Sequence, residues 1–126
     1  MKREILGQSG VEVSAFSLGT MTFGNQTDQA DAHAQIDRAL ETGITFLDCA
    51  EMYPVNPVRA ETAGRSEEII GNWISKTGRR QDIEIATKVA GDGTVVRGGE
   101  GYDGAIIGRT IDASLKRLQT DVIDLY

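Results

Sequence analysis

Three residue types with known proton chemistry stand at regular positions in the first ninety residues: Asp48, Tyr53 and Lys88. Asp48 closes the uncharged run Ile44–Leu47, and Tyr53 follows in the stretch DCAEMY. Lys88 comes near the end of a second β-prone run, IEIATKV, from Ile83 to Val89. A carboxylate, a phenol and an ammonium at the same end of adjacent parallel strands form a proton-donating group. Such a group can deliver a proton to a substrate atom as negative charge grows there. A phenol is a weak acid, with a reference pKa of about 10, and a neighbouring ammonium favours its phenolate form. Lys88 is the expected ammonium, and Asp48 the carboxylate that keeps it charged and in place. Alternation along IEIATKV sets Ile83, Ile85, Thr87 and Val89 on one face and Glu84, Ala86 and Lys88 on the other. The apolar face packs on helices, which turns Lys88 to the opposite side. Taken singly, each residue has a plainer reading, with Asp48 as a strand-end turn residue and Tyr53 as loop packing.

The elements that must position these residues follow from the pattern of apolar and turn residues. Ser9-Gly10 between Ile5-Leu6 and Val11–Val13 reads as a small hairpin. Ala15–Thr20 is a strand candidate that ends near Gly19. Asp28 caps a helix over Gln29–Glu41, with Ala32, Ile36, Ala39 and Leu40 on one face and Gly43 as its stop. Pro54–Arg65 is loop. Ser66 is the expected cap of the next helix, Glu67-Glu68 suit its positive end, Ile69, Ile70, Trp73 and Ile74 form its buried stripe, and Gly78 ends it. A glycine-rich loop, Gly91–Gly104, leads to a third helix over Ala105–Leu118 with Ile107, Ile111, Leu115 and Leu118 in register, and Val122–Tyr126 begins a fourth strand. Strands alternating with helices imply parallel βαβ units in one α/β layer system. A barrel of eight such units takes about 250 residues, and the chain has 126. The expectation is a single truncated domain, residues 1–126, ending in or just after its fourth barrel strand.

Composition narrows the class. The net charge is −6 and the positive residues are scattered, which argues against nucleic acid as partner. No run of eighteen apolar residues is present, and MKREILGQSG has no apolar signal core, so a cytoplasmic protein with no membrane partner is expected. The single cysteine, Cys49, fits a reducing compartment and points opposite to Asp48, as a buried structural thiol. One histidine, His33, beside the apolar stripe of the first helix, reads as a boundary residue and makes no metal site. Gly99–Gly104 matches G-x-G-x-x-G, with Asp124 at about the ~20-residue spacing of the acidic partner in a dinucleotide-binding fold. That motif needs its first glycine directly after a strand, and here Ala90–Gly98 intervenes. The stretch reads instead as a flexible active-site loop, and a Rossmann-type domain stays as an alternative.

LGTMTFG at Leu18–Gly24, the spacing Asp48-x-Ala50-x-x-Tyr53, and ATK at Ala86–Lys88 together resemble the aldo-keto reductases. DAHAQ, AEMYPV, GNW and SLKRLQTD are similar to the bacterial Tas-like branch of that family. The resemblance covers the whole chain. It implies the N-terminal half of a (β/α)8 TIM barrel preceded by a β-hairpin, and reduction of an aldehyde or ketone with a nicotinamide cofactor, usually NADPH and otherwise NADH. By motif position it makes Asp48, Tyr53 and Lys88 three members of a catalytic tetrad, with Tyr53 as general acid. The fourth, a histidine just past the fourth strand, falls beyond Tyr126. It also places Gly19, Thr20 and Met21, with Asp48, at the cofactor and substrate site. A non-catalytic nicotinamide-binding regulatory subunit of the same fold is the other reading it allows. A half barrel has open edges, so a chain of this length is expected to be inactive by itself and to self-associate.

Overall fold

The structure is a computed structural model and describes every residue except Asp92, which lies within the glycine-rich loop. Strands β1 (Arg3–Ile5) and β2 (Glu12–Ser14) pair antiparallel as a hairpin. Strands β3 (Ser17–Gly19), β4 (Phe46–Asp48) and β5 (Glu84–Ala86) form a parallel sheet in chain order. Helices α1 (Gln29–Glu41), α2 (Arg65–Thr77) and α3 (Gly104–Leu118) follow β3, β4 and β5 in turn. Each parallel pair needs such a crossover. The result is an α/β unit with its core between sheet and helices: Leu47, Cys49, Ile83 and Ile85 from the strand segments meet Ile36, Ile69, Ile70, Trp73 and Leu118.

The first helix forms as its residues dictate. The Asp28 carboxylate accepts from the Asp31 N–H at 2.9 Å, and Gly43 takes a left-handed φ of +84° just past the end. The second departs from the expected cap. Ser66 lies inside α2, and its hydroxyl donates to the Phe23 carbonyl at 2.8 Å. Gly64 holds the cap position without any side-chain bond. The carbonyl of Tyr53 does the capping, accepting from the N–H groups of Gly64 (3.0 Å) and Ser66 (3.3 Å). A helix terminus leaves several N–H groups to satisfy, and here they tie α2 to the loop that carries Tyr53.

The third helix starts at Gly104, capped by Asp103, and its fully buried positions are Thr110, Ser114 and Leu118. Ile107, Ile111 and Leu115 are only half-buried. Close approach of the helices explains the shift toward small residues: a Cβ on Gly71 of α2 would lie 2.2 Å from the Arg117 carbonyl oxygen. The expected fourth strand, Val122–Tyr126, is reduced to one parallel bridge between Ala86 and Leu125. Backbone bonds flank that bridge, from the Asp124 and Leu125 N–H groups to the Ile85 carbonyl and from the Thr87 N–H to the Leu125 carbonyl, each at 3.1 Å, and side chains add to them. The Asp124 carboxylate accepts from the Ile85 N–H at 2.7 Å and pairs with Arg80, whose guanidinium also donates to the Val122 carbonyl.

The hairpin packs against the end of the sheet where the parallel strands begin. Ser14 Oγ accepts from the N–H groups of Thr45 and Phe46, and Arg3 donates to Thr45 and Glu84. The opposite end, where the strands finish, carries the candidate site.

Candidate active site

Strand register builds the site. Gly19, Asp48 and Ala86 are partners in one row across β3, β4 and β5. Lys88 lies two residues past Ala86, hence on the same face as Asp48. The alternation expected for IEIATKV holds as far as Lys88, with Ile83, Ile85 and Thr87 buried toward the helices and Lys88 half-exposed on the other side, while Val89 is only half-buried. Lys88 Nζ donates to Asp48 Oδ1 at 2.8 Å and to the Cys49 carbonyl at 2.7 Å. It also sits 4.8 Å from the centre of the Tyr53 ring. The structure therefore brings together the three residues that the sequence singles out. Burial pulls the Lys88 ammonium down, but its bonds and charges shared with Asp48 and Tyr53 outweigh that and hold it above its ordinary value. The side chains of Asp48 and Lys88 are 43% and 44% exposed, so the pair stays open to a ligand.

The segment Gly19–Met21 divides. Gly19 and Met21 are exposed beside Asp48, and a Cβ built on Gly19 meets no atom within 4 Å. That strand end is open on the side of Gly19. Thr20 is fully buried, and both its N–H (3.1 Å) and its hydroxyl (2.9 Å) donate to the Asp48 carbonyl. Its side chain holds the Asp48 backbone.

Two buried carboxylates brace the lysine segment, and sequence reading did not place either. Glu67, read as a helix-end charge, is fully buried and accepts from Thr87 Oγ1 at 2.6 Å and from Arg117 Nε at 2.6 Å. Glu51 accepts from the Ala90 N–H at 2.6 Å and pairs with Arg97 of the glycine-rich loop. Their signal in the sequence was faint, since an acidic residue near a helix start is usually solvated. Glu51 does stand inside the AEMY stretch.

The remaining expectations fall out simply. Cys49 is buried in the core, and burial, with Glu67 nearby, pushes its thiol up to about 12. His33 is half-buried, its Nε2 donating to the Ile69 carbonyl at 2.9 Å. The Gly99–Gly104 stretch does not directly follow a strand: β5 ends at Ala86, and the loop turns back on itself through Arg97 and Gly99 N–H bonds to the Gly93 carbonyl. Among the described residues no cluster of three or more His, Cys, Asp or Glu is set to hold a metal, and no helix is long and apolar enough to cross a membrane.

A lysine, a carboxylate and a phenol gathered at the strand ends of a parallel α/β sheet stand where folds of this kind carry their ligand and catalytic sites. Comparison with known proteins names the family. The Aldo/keto reductase family pattern matches residues 15–126. The chain is 47% identical to the Escherichia coli protein tas, across all of this chain and 37% of that protein. It is 38% identical to a probable voltage-gated potassium channel subunit beta of Arabidopsis thaliana, over 99% of this chain and 36% of that protein. Among solved structures, it superposes on the holo form of an aldo-keto reductase from Bacillus halodurans with a TM-score of 0.78 and 39% identity, covering all of this chain and 39% of that one. The chain belongs to the aldo/keto reductase family. It spans a little over a third of the length of these relatives.

Proposed function

We propose that residues 1–126 are the N-terminal part of one (β/α)8 barrel domain that reduces an aldehyde or ketone to an alcohol with NADPH, or with NADH in its place. The observation that carries the reading is the Lys88 ammonium, bonded to Asp48 and set against the Tyr53 ring. When bound, the nicotinamide supplies the hydride. Tyr53 donates its phenolic proton to the carbonyl oxygen of the substrate as charge builds there. The charge left on the phenol faces Lys88, and Asp48 keeps that ammonium charged and aimed. Thr20 fixes the backbone of Asp48, and the Tyr53 carbonyl is anchored on the N-terminus of α2. Gly19, Met21 and the exposed edge of Asp48 are the residues that would hold the nicotinamide. The partner is a small carbonyl compound, with no nucleic acid or membrane surface, in a cytoplasmic setting. The 126-residue chain alone is inactive and self-associates.

In the complete protein, Tyr53→Phe removes the proton donor and leaves the cofactor surface. Carbonyl reduction falls by about 10²–10⁴-fold, while NADPH affinity, read by fluorescence titration, stays near that of the parent. Turnover within a few-fold of the parent would rule out Tyr53 as the acid.

One observation favours a second reading, in which a nicotinamide-binding barrel regulates a partner: the 38% identity to a protein named as a potassium channel subunit beta. The two readings part on turnover. Tight NADPH binding with no reduction of any of a panel of aldehydes and ketones supports the regulator.

A further inference from the structure

We infer that Glu51 and Arg97 form a positioning pair for Lys88, fixing the backbone that carries the ammonium into reach of Asp48 and Tyr53. The inference rests on the reductase reading of Lys88 given above. It begins where the β4–β5 ladder runs out. Past the last strand pair the ladder continues with Cys49 N–H to the Ala86 carbonyl at 2.8 Å and Glu51 N–H to the Lys88 carbonyl at 3.1 Å. The next backbone bond of that series is missing, and the Glu51 side chain replaces it. Its carboxylate accepts from the Ala90 N–H at 2.6 Å, while Arg97 Nη2 donates to the Ala90 carbonyl at 2.7 Å. Arg97 Nη1 closes the arrangement on the same Glu51 oxygen. Both backbone polar groups of Ala90, its N–H and its C=O, are thereby held, two residues after Lys88. On the other side, Thr87 is held by Glu67. Lys88 projects from a segment pinned before and after it.

A buried ion pair is an inefficient way to gain stability, because desolvation offsets most of its attraction and apolar residues of similar volume serve as well. The Glu51 and Arg97 side chains are 7% and 9% exposed, and Arg97 Nε is buried with no hydrogen-bond partner. The planar guanidinium does offer what an apolar pair lacks: two parallel donors that bridge a carboxylate and a carbonyl in one geometry. That geometry links the glycine-rich loop to the strand ends. Among the described residues neither side chain bonds to Tyr53, to the Asp48 carboxylate or to the Lys88 ammonium, so the pair acts through the backbone of residues 88–90.

The test uses the complete protein with three variants. Arg97→Met removes the bridge, and Arg97→Lys keeps the charge beside Glu51 while losing the fork. Lys88→Met is the control. Misplacing a reacting group by about 1 Å costs up to ~10²-fold in rate. The expected result for Arg97→Met is a kcat at least about tenfold lower per folded molecule, with the NADPH dissociation constant within about twofold. Arg97→Lys falls between Arg97→Met and the parent, and decides by the same two readouts if Arg97→Met does not fold. A purely structural role predicts a lower melting temperature with unchanged kcat below it, and that result overturns the inference. So does an equal loss in kcat and NADPH affinity. The two levels fail separately: activity retained in Lys88→Met sinks the reductase reading of the lysine, and the positioning role with it. An inactive Lys88→Met beside an Arg97→Met of parental kcat sinks the positioning role alone.

Discussion

At the scale of single residues, burial decides which groups titrate and which stay silent. Cys49 sits next to Asp48 in the chain, yet the strand sends the two side chains to opposite faces, one into the core and one to the open end. Burial and the nearby Glu67 hold the Cys49 thiol protonated, up to about 12 from an ordinary 9.0. The folded chain therefore keeps a proton that the unfolded chain releases as pH climbs past 9.0, and stability falls with rising pH across that window. Lys88 works in the same direction higher up. Its raised value means that its contribution is complete below an ordinary 10.5 and is lost as pH rises through the folded value. Urea unfolding midpoints should thus drop between about pH 8.5 and pH 11. The drop should start later in Cys49→Ala, which lacks the first of the two groups. At neutral pH the native thiol should resist alkylation by iodoacetamide and react only on unfolding, since thiolate is the nucleophile. Rapid native-state labelling would contradict the buried placement.

At the scale of elements, the site depends on how closely α2 and α3 pack. Glu67 can reach both Thr87 and Arg117 because the two helices cross at Gly71, where a Cβ would meet the Arg117 carbonyl oxygen at 2.2 Å and the Leu118 backbone at about 3 Å. Backbone cannot yield the way a flexible side chain does, so Gly71→Ala forces the helices apart. Overpacking of this kind costs about 1–3 kcal/mol, even though alanine is the better helix former. The expected outcome is a lowered unfolding midpoint in the complete protein. A gain in stability would mean that α3 slides without cost. Gly108, on α3, is the matched control: no atom lies within 4 Å of its built Cβ, and Gly108→Ala should stabilise by about the helix propensity difference.

At the scale of the whole molecule, the three-stranded sheet has one edge at β3, and its other side, at β5, is met by the short segment Asp124–Leu125 through the Ala86–Leu125 bridge and its flanking backbone bonds. Open edges present unpaired N–H and C=O groups to any other strand. Val122, Leu125 and Tyr126 are exposed along that second side. The 126-residue chain produced alone should therefore run as a dimer or larger species in size-exclusion chromatography with light scattering, and should bind NADPH far more weakly than the complete protein. A compact monomer with micromolar NADPH affinity would show that the chain is a finished binding unit.

Much of this architecture was legible in the residues themselves. Local chemistry determined α1 from Asp28 to Gly43, the stop of α2 at Gly78, and the order of strands and helices, because caps, glycines and apolar periods act over a few residues. The period of two along IEIATKV was enough to send Lys88 away from the helices, and so toward Asp48. Whatever depended on contacts between distant segments was decided only by the tertiary structure. Ser66 has the chemistry of a cap, but the Phe23 carbonyl claims its hydroxyl and Tyr53 caps the helix instead. Thr110 and Ser114 displaced the isoleucines from the deepest positions of α3 because Gly71 lets the helices come close. Val122–Tyr126 has the composition of a strand, but only Asp124 and Leu125 bond the backbone beside β5, and the Asp124 carboxylate, paired with Arg80, takes the Ile85 N–H. Glu67 reads only as a helix-end charge and Glu51 carries no reading of its own; their partners, Arg117 and Arg97, lie 50 and 46 residues away, and no local pattern carries that information.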